Sequence, residues 1–278
     1  MDRIPTGISR FDSIIGGGAP AGSVVLLASE GGAGGREFLY TSAVMNGLVH
    51  ADDEQFDLYY GDLHERADPP ENIHYVSFTA NRSELIDEME FTLETDLIES
   101  SVDRIEFADL STEFFQPSPI PTEWYAGRTQ EISSLGDNHD RRGVLERLGT
   151  YLTDNASNNL VLLDSVTDLL DVSDDRLELT DITLLLRGLK KASARWGGLI
   201  LILVNQDPLT DRQLGALMDA TDGSLLFEWE SGGSERDRTL IVRQFRGVLS
   251  RLEEEDIIQF ETEIHEGGYD ISDVRKIR

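Results

Sequence analysis

The sequence predicts an α/β fold, with a mostly parallel central sheet flanked by helices and an antiparallel extension near the C-terminus. Three observations carry this. Short apolar runs rich in β-branched residues recur, each bounded by glycine or polar residues, as buried strands require. Helical stretches alternate with the earlier runs, the arrangement that builds a parallel sheet. The later strand candidates crowd together, which suits antiparallel pairing.

In order, residues 6–20 mix turn residues with apolar ones, and residues 23–28 (SVVLLA) read as a buried strand. A loop, EGGAGG, and a helical stretch over 36–49 follow. Strand, glycine-rich loop and helix in that order are what a phosphate-binding turn requires. Residues 51–72 are polar and predict a loop excursion. Residues 73–78 predict a second strand, 83–94 a helix and 105–110 a third strand. Residues 111–142, with PSPIPTEW and SLGDNHD, predict a second excursion with a mobile part. A helix over 143–153 leads to a strand at 159–163 that ends at Asp164. An amphipathic helix over 177–196 stops at Gly197-Gly198, before a buried strand at 199–204. Paired strands are expected at 224–229 and 238–244, with shorter ones at 256–264 and 269–271. One domain over 1–278 is the simplest organisation for this length.

Asp and Glu number 53 against 24 Lys and Arg, a net charge of -29, and the acid is spread along the whole chain. The three lysines are Lys190, Lys191 and Lys276. Such a surface suits molar intracellular salt, which screens self-repulsion beyond about 3 Å at 1 M; the competing reading is an acid surface built for a basic partner. It disfavours nucleic acid as a partner. There is no cysteine, which excludes disulfides and thiolate metal sites. No apolar run nears the roughly 20 residues of a membrane span, and the expectation is a cytoplasmic protein. His50, His64, His74, His139 and His265 show no metal-ligand spacing, and His74 reads as a sheet residue.

Three stretches carry a family resemblance: TGISRFDSIIGGGAPAGSVVLLASEGGAGG, NLVLLDS and IVRQFRG with its acidic tail. Together and in order they resemble KaiC-like and RadA-like P-loop ATPases of the RecA superfamily, in a haloarchaeal form with a degenerate Walker A. The resemblance implies a RecA-like fold and an ATP/Mg²⁺ site. Aligned without gaps, the Walker A pattern G-x-x-x-x-G-K-[ST] covers Ser29, Glu30, Gly31, Gly32, Ala33, Gly34, Gly35 and Arg36. Gly35 then stands where the phosphate-binding lysine belongs, and Arg36 where the magnesium-binding hydroxyl belongs. A one-residue shift would make Arg36 the cation and put Glu37 in the hydroxyl position. Backbone N–H groups from Gly31 to Gly35 can still attract an anion at a helix N-terminus. The alternative is that the loop is only a tight turn between strand and helix.

Asp164 matches the Walker B acid, which holds Mg²⁺ through water. The other reading is an Asp capping the turn after a strand. Asn205-Gln206 matches a polar sensor after its strand, or is a satisfied turn pair. Arg246 matches the arginine of K-x-R-G that reaches a neighbouring subunit's phosphate, or pairs with surface acid; Gln244 replaces the lysine of that motif. Thr79 and Ala80 stand where the resemblance implies two water-activating glutamates, and neither is a general base. Glu84 reads as solvated surface. The expected function is a regulatory or signal-transduction protein acting through protein contacts, with no catalytic residue and no bound cofactor. The alternative is an oligomeric ATP-binding protein or weak ATPase that uses Arg36, Asp164 and a neighbour's Arg246. A recombinase-like filament on DNA lacks support, because no basic loop interleaved with aromatics is present.

Overall fold

A computed structural model describes residues 2–125, 142–170, 178–232, 235–254 and 257–276. β1 (Arg3–Ile4) pairs with β2 (Ala19–Pro20) around helix α1 (Ser9–Ile15). β3 (Ser23–Ser29) passes through the glycine-rich loop into α2 (Gly35–Leu48). The excursion expected over 51–72 is in part a helix, α3 (Asp53–Tyr59). The Asp52 carboxylate caps it by accepting from the Gln55 N–H, and buried Phe56 stacks on Tyr60 at 4.8 Å. One buried apolar residue is too thin a pattern for periodicity to reveal.

β4 (Ile73–Ser77) and α4 (Arg82–Glu90) follow. The helix expected over 83–94 breaks after Glu90, and α5 (Thr95–Ser101) precedes β5 (Ile105–Asp109). Within the excursion of 111–142 lie α6 (Ser111–Phe115) and a 3-10 turn at Thr122–Trp124. Residues 126–141, including His139 and the part expected to be mobile, lie outside the described residues. α7 (Arg142–Asn155), β6 (Leu160–Asp164), α8 (Val166–Leu170), α9 (Leu179–Trp196), β7 (Leu199–Asn205) and α10 (Asp211–Asp219) complete the alternating part. β8 (Gly223–Gly232), β9 (Glu235–Phe245), α11 (Leu249–Glu254), β10 (Ile257–His265) and β11 (Gly268–Lys276) end the chain.

The main sheet has the order β11-β10-β9-β8-β3-β7-β6-β4-β5. From β8 to β5 every pairing is parallel. β9, β10 and β11 add the antiparallel extension. Strand alternation feeds two cores, one on each face. Val25, Leu27, Leu201 and Leu203 face the core that includes α1 and α2; Val24, Leu26, Ile200 and Ile202 face the one that includes α7 and α9. No helix among the described residues is long and apolar enough to cross a membrane.

The opening TGISRFD segment has a structural reason. Buried Asp12 gathers four donors: the Thr6 N–H at 2.9 Å, the Thr6 hydroxyl at 2.8 Å, the Gly7 N–H at 3.0 Å and the Tyr60 hydroxyl at 2.9 Å. Burial raises its pKa to about 6, and the hydrogen bonds from Thr6, Tyr60 and Gly7 oppose that rise.

Candidate functional site

The glycine-rich loop leaves the carboxyl end of β3, which lies between β7 and β8. This is the sheet edge where α/β proteins bind ligands. Gly34 is the N-cap of α2 with φ 108°, and a Cβ there would come within 2.6 Å of Tyr269 Cε2. Only glycine fits both the left-handed backbone and that contact. Below the loop, Phe38 of α2 packs edge-on against Phe227 and Tyr269, each at 5.5 Å between ring centroids. These rings seat the helix on the antiparallel extension.

The lysine position is closed by packing as well as by sequence. A Cβ on Gly35 would lie 2.6 Å from Ser29 Cβ, 2.9 Å from Ser29 Oγ and 3.1 Å from Leu203 Cδ1. The Ser29 hydroxyl instead accepts from the Gly35 N–H at 3.3 Å. Where the motif has glycine first and lysine seventh, this chain has serine first and glycine seventh. The serine fills the space a lysine stem would need.

Arg36 turns inward. Its Nη2 donates to Asp164 Oδ1 at 3.0 Å, while the Tyr75 hydroxyl donates to Asp164 Oδ2 at 2.8 Å. Asp164 is buried and Arg36 about half exposed. Burial works against the charge on Arg36, but Asp164, Tyr40 and Tyr75 together hold its pKa above the ordinary arginine value. Burial and then the Asp164 charge push Tyr75 well above the usual phenol range, so it stays a neutral donor. Tyr40 is raised by the same two influences, and its hydroxyl donates to Glu88 at 2.5 Å. A guanidinium therefore sits against the carboxylate that the resemblance assigns to magnesium.

The loop is also tied down by protein groups. The Gly31 N–H donates to Asp207 Oδ2 at 3.0 Å, and the Ala33 N–H to the Glu30 carbonyl at 3.0 Å. Trp229 Nε1 donates to the Gly31 carbonyl at 3.0 Å, and Arg238 Nε to the Gly32 carbonyl at 3.0 Å. The Arg238 guanidinium lies 4.6 Å from the centroid of the Trp229 ring. Glu30 accepts from the Trp229 N–H at 2.8 Å. Among the described residues, the N–H groups of Gly32, Gly34, Arg36 and Glu37 have no hydrogen-bond acceptor. The cleft over the loop measures about 220 Å³ and is bordered by Glu30, Arg36, Glu37, Ser165 and Asn205. That is below the roughly 300–1,000 Å³ of small-molecule sites.

Gly31 to Glu37, Asp164 and Asn205 are thus brought together. Asn205 caps its own turn, its Oδ1 accepting from the Asp207 N–H at 3.1 Å. Gln206 is held by its backbone, its N–H donating to the Ser29 carbonyl at 2.9 Å. Arg246 is not brought to this cleft. Its N–H donates to the Asp222 carbonyl at 3.0 Å, beside the amino end of β3. Thr79 and Ala80 donate backbone N–H groups to the Ser77 hydroxyl, and Glu84 closes a capping box on α4 with Asn81. His74 is a buried sheet residue, its Nδ1 2.8 Å from the Tyr151 hydroxyl. Tyr75, Asp207, Trp229 and Arg238 join the site without any motif to announce them. No group of three His, Asp or Glu side chains among the described residues could hold a metal ion. The residues present do not fit a magnesium–nucleotide complex: the lysine space is filled and both Asp164 oxygens are bonded.

No protein-family model matches the chain, and no curated protein matches it in sequence. Its fold does match a solved structure, a KaiC-like protein from the hyperthermophilic archaeon Pyrococcus horikoshii. The TM-score is 0.62 over 98% of this chain and 99% of that one, at 18% identity. With its parallel sheet, flanking helices and antiparallel C-terminal strands, this chain has the RecA-like α/β fold.

Proposed function

We propose that this chain is a KaiC-like protein that no longer hydrolyses nucleotide and works through protein contacts, as a regulatory or signal-transduction protein. One observation carries the reading: the Arg36 guanidinium and the Tyr75 hydroxyl take both oxygens of Asp164. An arginine fork is not a substitute for a compact divalent ion, because it carries a single charge and has no coordination sites for water and phosphate oxygens. The filled lysine space and the missing water-activating carboxylates act in the same direction. Each of these parts serves transition-state charge or water activation, so their joint loss removes the means of catalysis. The dispersed acid supports a salt-adapted archaeal cytoplasm as its setting. A phosphate-release assay in molar KCl with Mg²⁺ and ATP is expected to show no turnover above buffer. Turnover that Asp164→Ala abolishes would sink the proposal.

A second reading is an oligomer that binds ATP between subunits. Arg246 favours it, being exposed and without an ion pair among the described residues. It lies at the end of β3 away from the glycine loop, so only a neighbour's loop would be within its reach. Light scattering in high salt distinguishes the two: a monomer with and without ATP excludes the second.

A further inference from the structure

A second glycine-rich turn, Gly16-Gly17-Gly18, gathers arginine side chains that no carboxylate among the described residues neutralises. All three glycines have positive φ, at 88°, 103° and 113°. A Cβ on Gly16 would lie 2.6 Å from Arg251 Nη1, and one on Gly17 would lie 3.0 Å from His64 Nδ1. Arg3 Nη1 donates to the Gly18 carbonyl at 2.7 Å, and Arg3 Nη2 to the Gly247 carbonyl at 3.0 Å. The Arg3 N–H donates to the Arg66 carbonyl at 3.1 Å, which brings Arg66 alongside. The Arg66 N–H in turn donates to His64 Nδ1 at 3.1 Å, so the neutral ring carries its proton on Nε2.

Three arginines and a histidine thus surround one turn of a chain with net charge -29. None of Arg3, His64, Arg66 and Arg251 pairs with a carboxylate among the described residues. Arg251 Nε is buried without an acceptor. Burial, and then the charges of Arg251 and Arg66, lower the pKa of Arg3. Like charges held together and an unbonded buried donor cost free energy, unless an anion joins them. In so acidic a chain, carboxylates are abundant, yet none among the described residues serves here.

We propose that Arg3, His64, Arg66 and Arg251 form a binding site for a small phosphate-bearing anion. Guanidinium forks match phosphate oxygens in pairs, and several of them suit a multiply charged group. Arg3 is fixed by two carbonyls and supplies a rigid charge. Arg251 holds its guanidinium over Gly16, Arg66 supplies an exposed guanidinium and His64 the Nε2–H. The turn lies toward the amino end of β3, away from the loop of Arg36 and Asp164, so the site does not depend on that loop.

Titration calorimetry with pyrophosphate tests this, on the full chain at fixed ionic strength in KCl. Wild type is expected to bind. Arg66→Ala is expected to weaken binding about 10-fold, the size of one charge-assisted hydrogen bond. Its melting temperature without ligand should match wild type, because the Arg66 side chain is exposed. Arg251→Met should weaken binding further; if it fails to fold, Arg66→Ala still decides. Arg36→Ala should bind as wild type does. No heat beyond a chloride control, or equal affinity in Arg66→Ala and wild type, overturns the site. Loss of binding in Arg36→Ala places the anion on the other loop and overturns it too. A tetraglutamate peptide that binds more tightly than pyrophosphate overturns the assignment to phosphate.

Discussion

The glycine loop after β3 and the glycine turn before β2 look alike in sequence, yet the protein treats their charges in opposite ways. In the loop, the gaps left by glycine are closed by neutral groups: Ser29 against Gly35 and Tyr269 against Gly34. Arg36, the cation within the loop itself, is paired with Asp164. In the turn, Arg251 and His64 close the gaps, and no carboxylate among the described residues pairs with either. The residues that fill the space over a glycine, and not the glycines themselves, decide whether a turn stays reactive.

The largest expected effect breaks the base of the turn. The Gly17 N–H donates to the Asp12 carbonyl, and the Asp12 carboxylate holds Thr6, Gly7 and Tyr60. Asp12→Asn would turn an amide NH₂ toward two of those donors and is expected to cost about 3 kcal/mol. Urea unfolding in molar KCl measures it. Next, Asp164→Asn weakens the Arg36 pair in the loop. With Arg36 half exposed, about 2 kcal/mol is expected, read from the same transition. A loss under a few tenths of a kcal/mol would show that the loop does not need its ion pair.

Gly35→Lys alone should cost about 1–3 kcal/mol, because the new stem meets Ser29 and Leu203. Ser29→Gly made together with Gly35→Lys should recover that loss, and adding Arg36→Thr should bring magnesium-dependent binding of a fluorescent ATP analogue. If the double variant is as unstable as Gly35→Lys, Ser29 is not what closes the lysine space. The smallest effect is in pH. The Asp12 pKa is raised from 3.8 to about 6 in the folded chain, so the folded state holds that proton more tightly. Its contribution is complete below pH 3.8 and is lost as pH rises through about 6. The cost of Asp12→Asn should therefore be about 1 kcal/mol smaller at pH 7.5 than at pH 5. An equal cost at both values would mean that the four donors offset burial.

The sheet was legible wherever a strand is buried on both faces. β3, β6 and β7 read as unbroken apolar runs because helices cover them above and below. Helix α3 was hidden because Phe56 is its single buried residue. Part of the site was also legible: serine and glycine in exchanged places can be read from the alignment of 29–36. The pairing of Arg36 with Asp164 could not, since 128 residues separate them and only the sheet order brings them together. Arg238 and Trp229 were missed for a related reason. Their cross-strand pairing on β8 and β9 aims both at the loop, and no local pattern encodes that direction.

That contact makes Trp229 an optical reporter built into the protein. Its indole touches the Gly31 carbonyl and lies beneath a guanidinium, two neighbours that alter indole emission when they move. With Trp124 and Trp196 changed to phenylalanine, a single fluorophore would signal any rearrangement of the loop, without a dye. The hairpin that carries it belongs to the antiparallel extension, so a partner gripping those outer strands would be seen at the loop in the same trace.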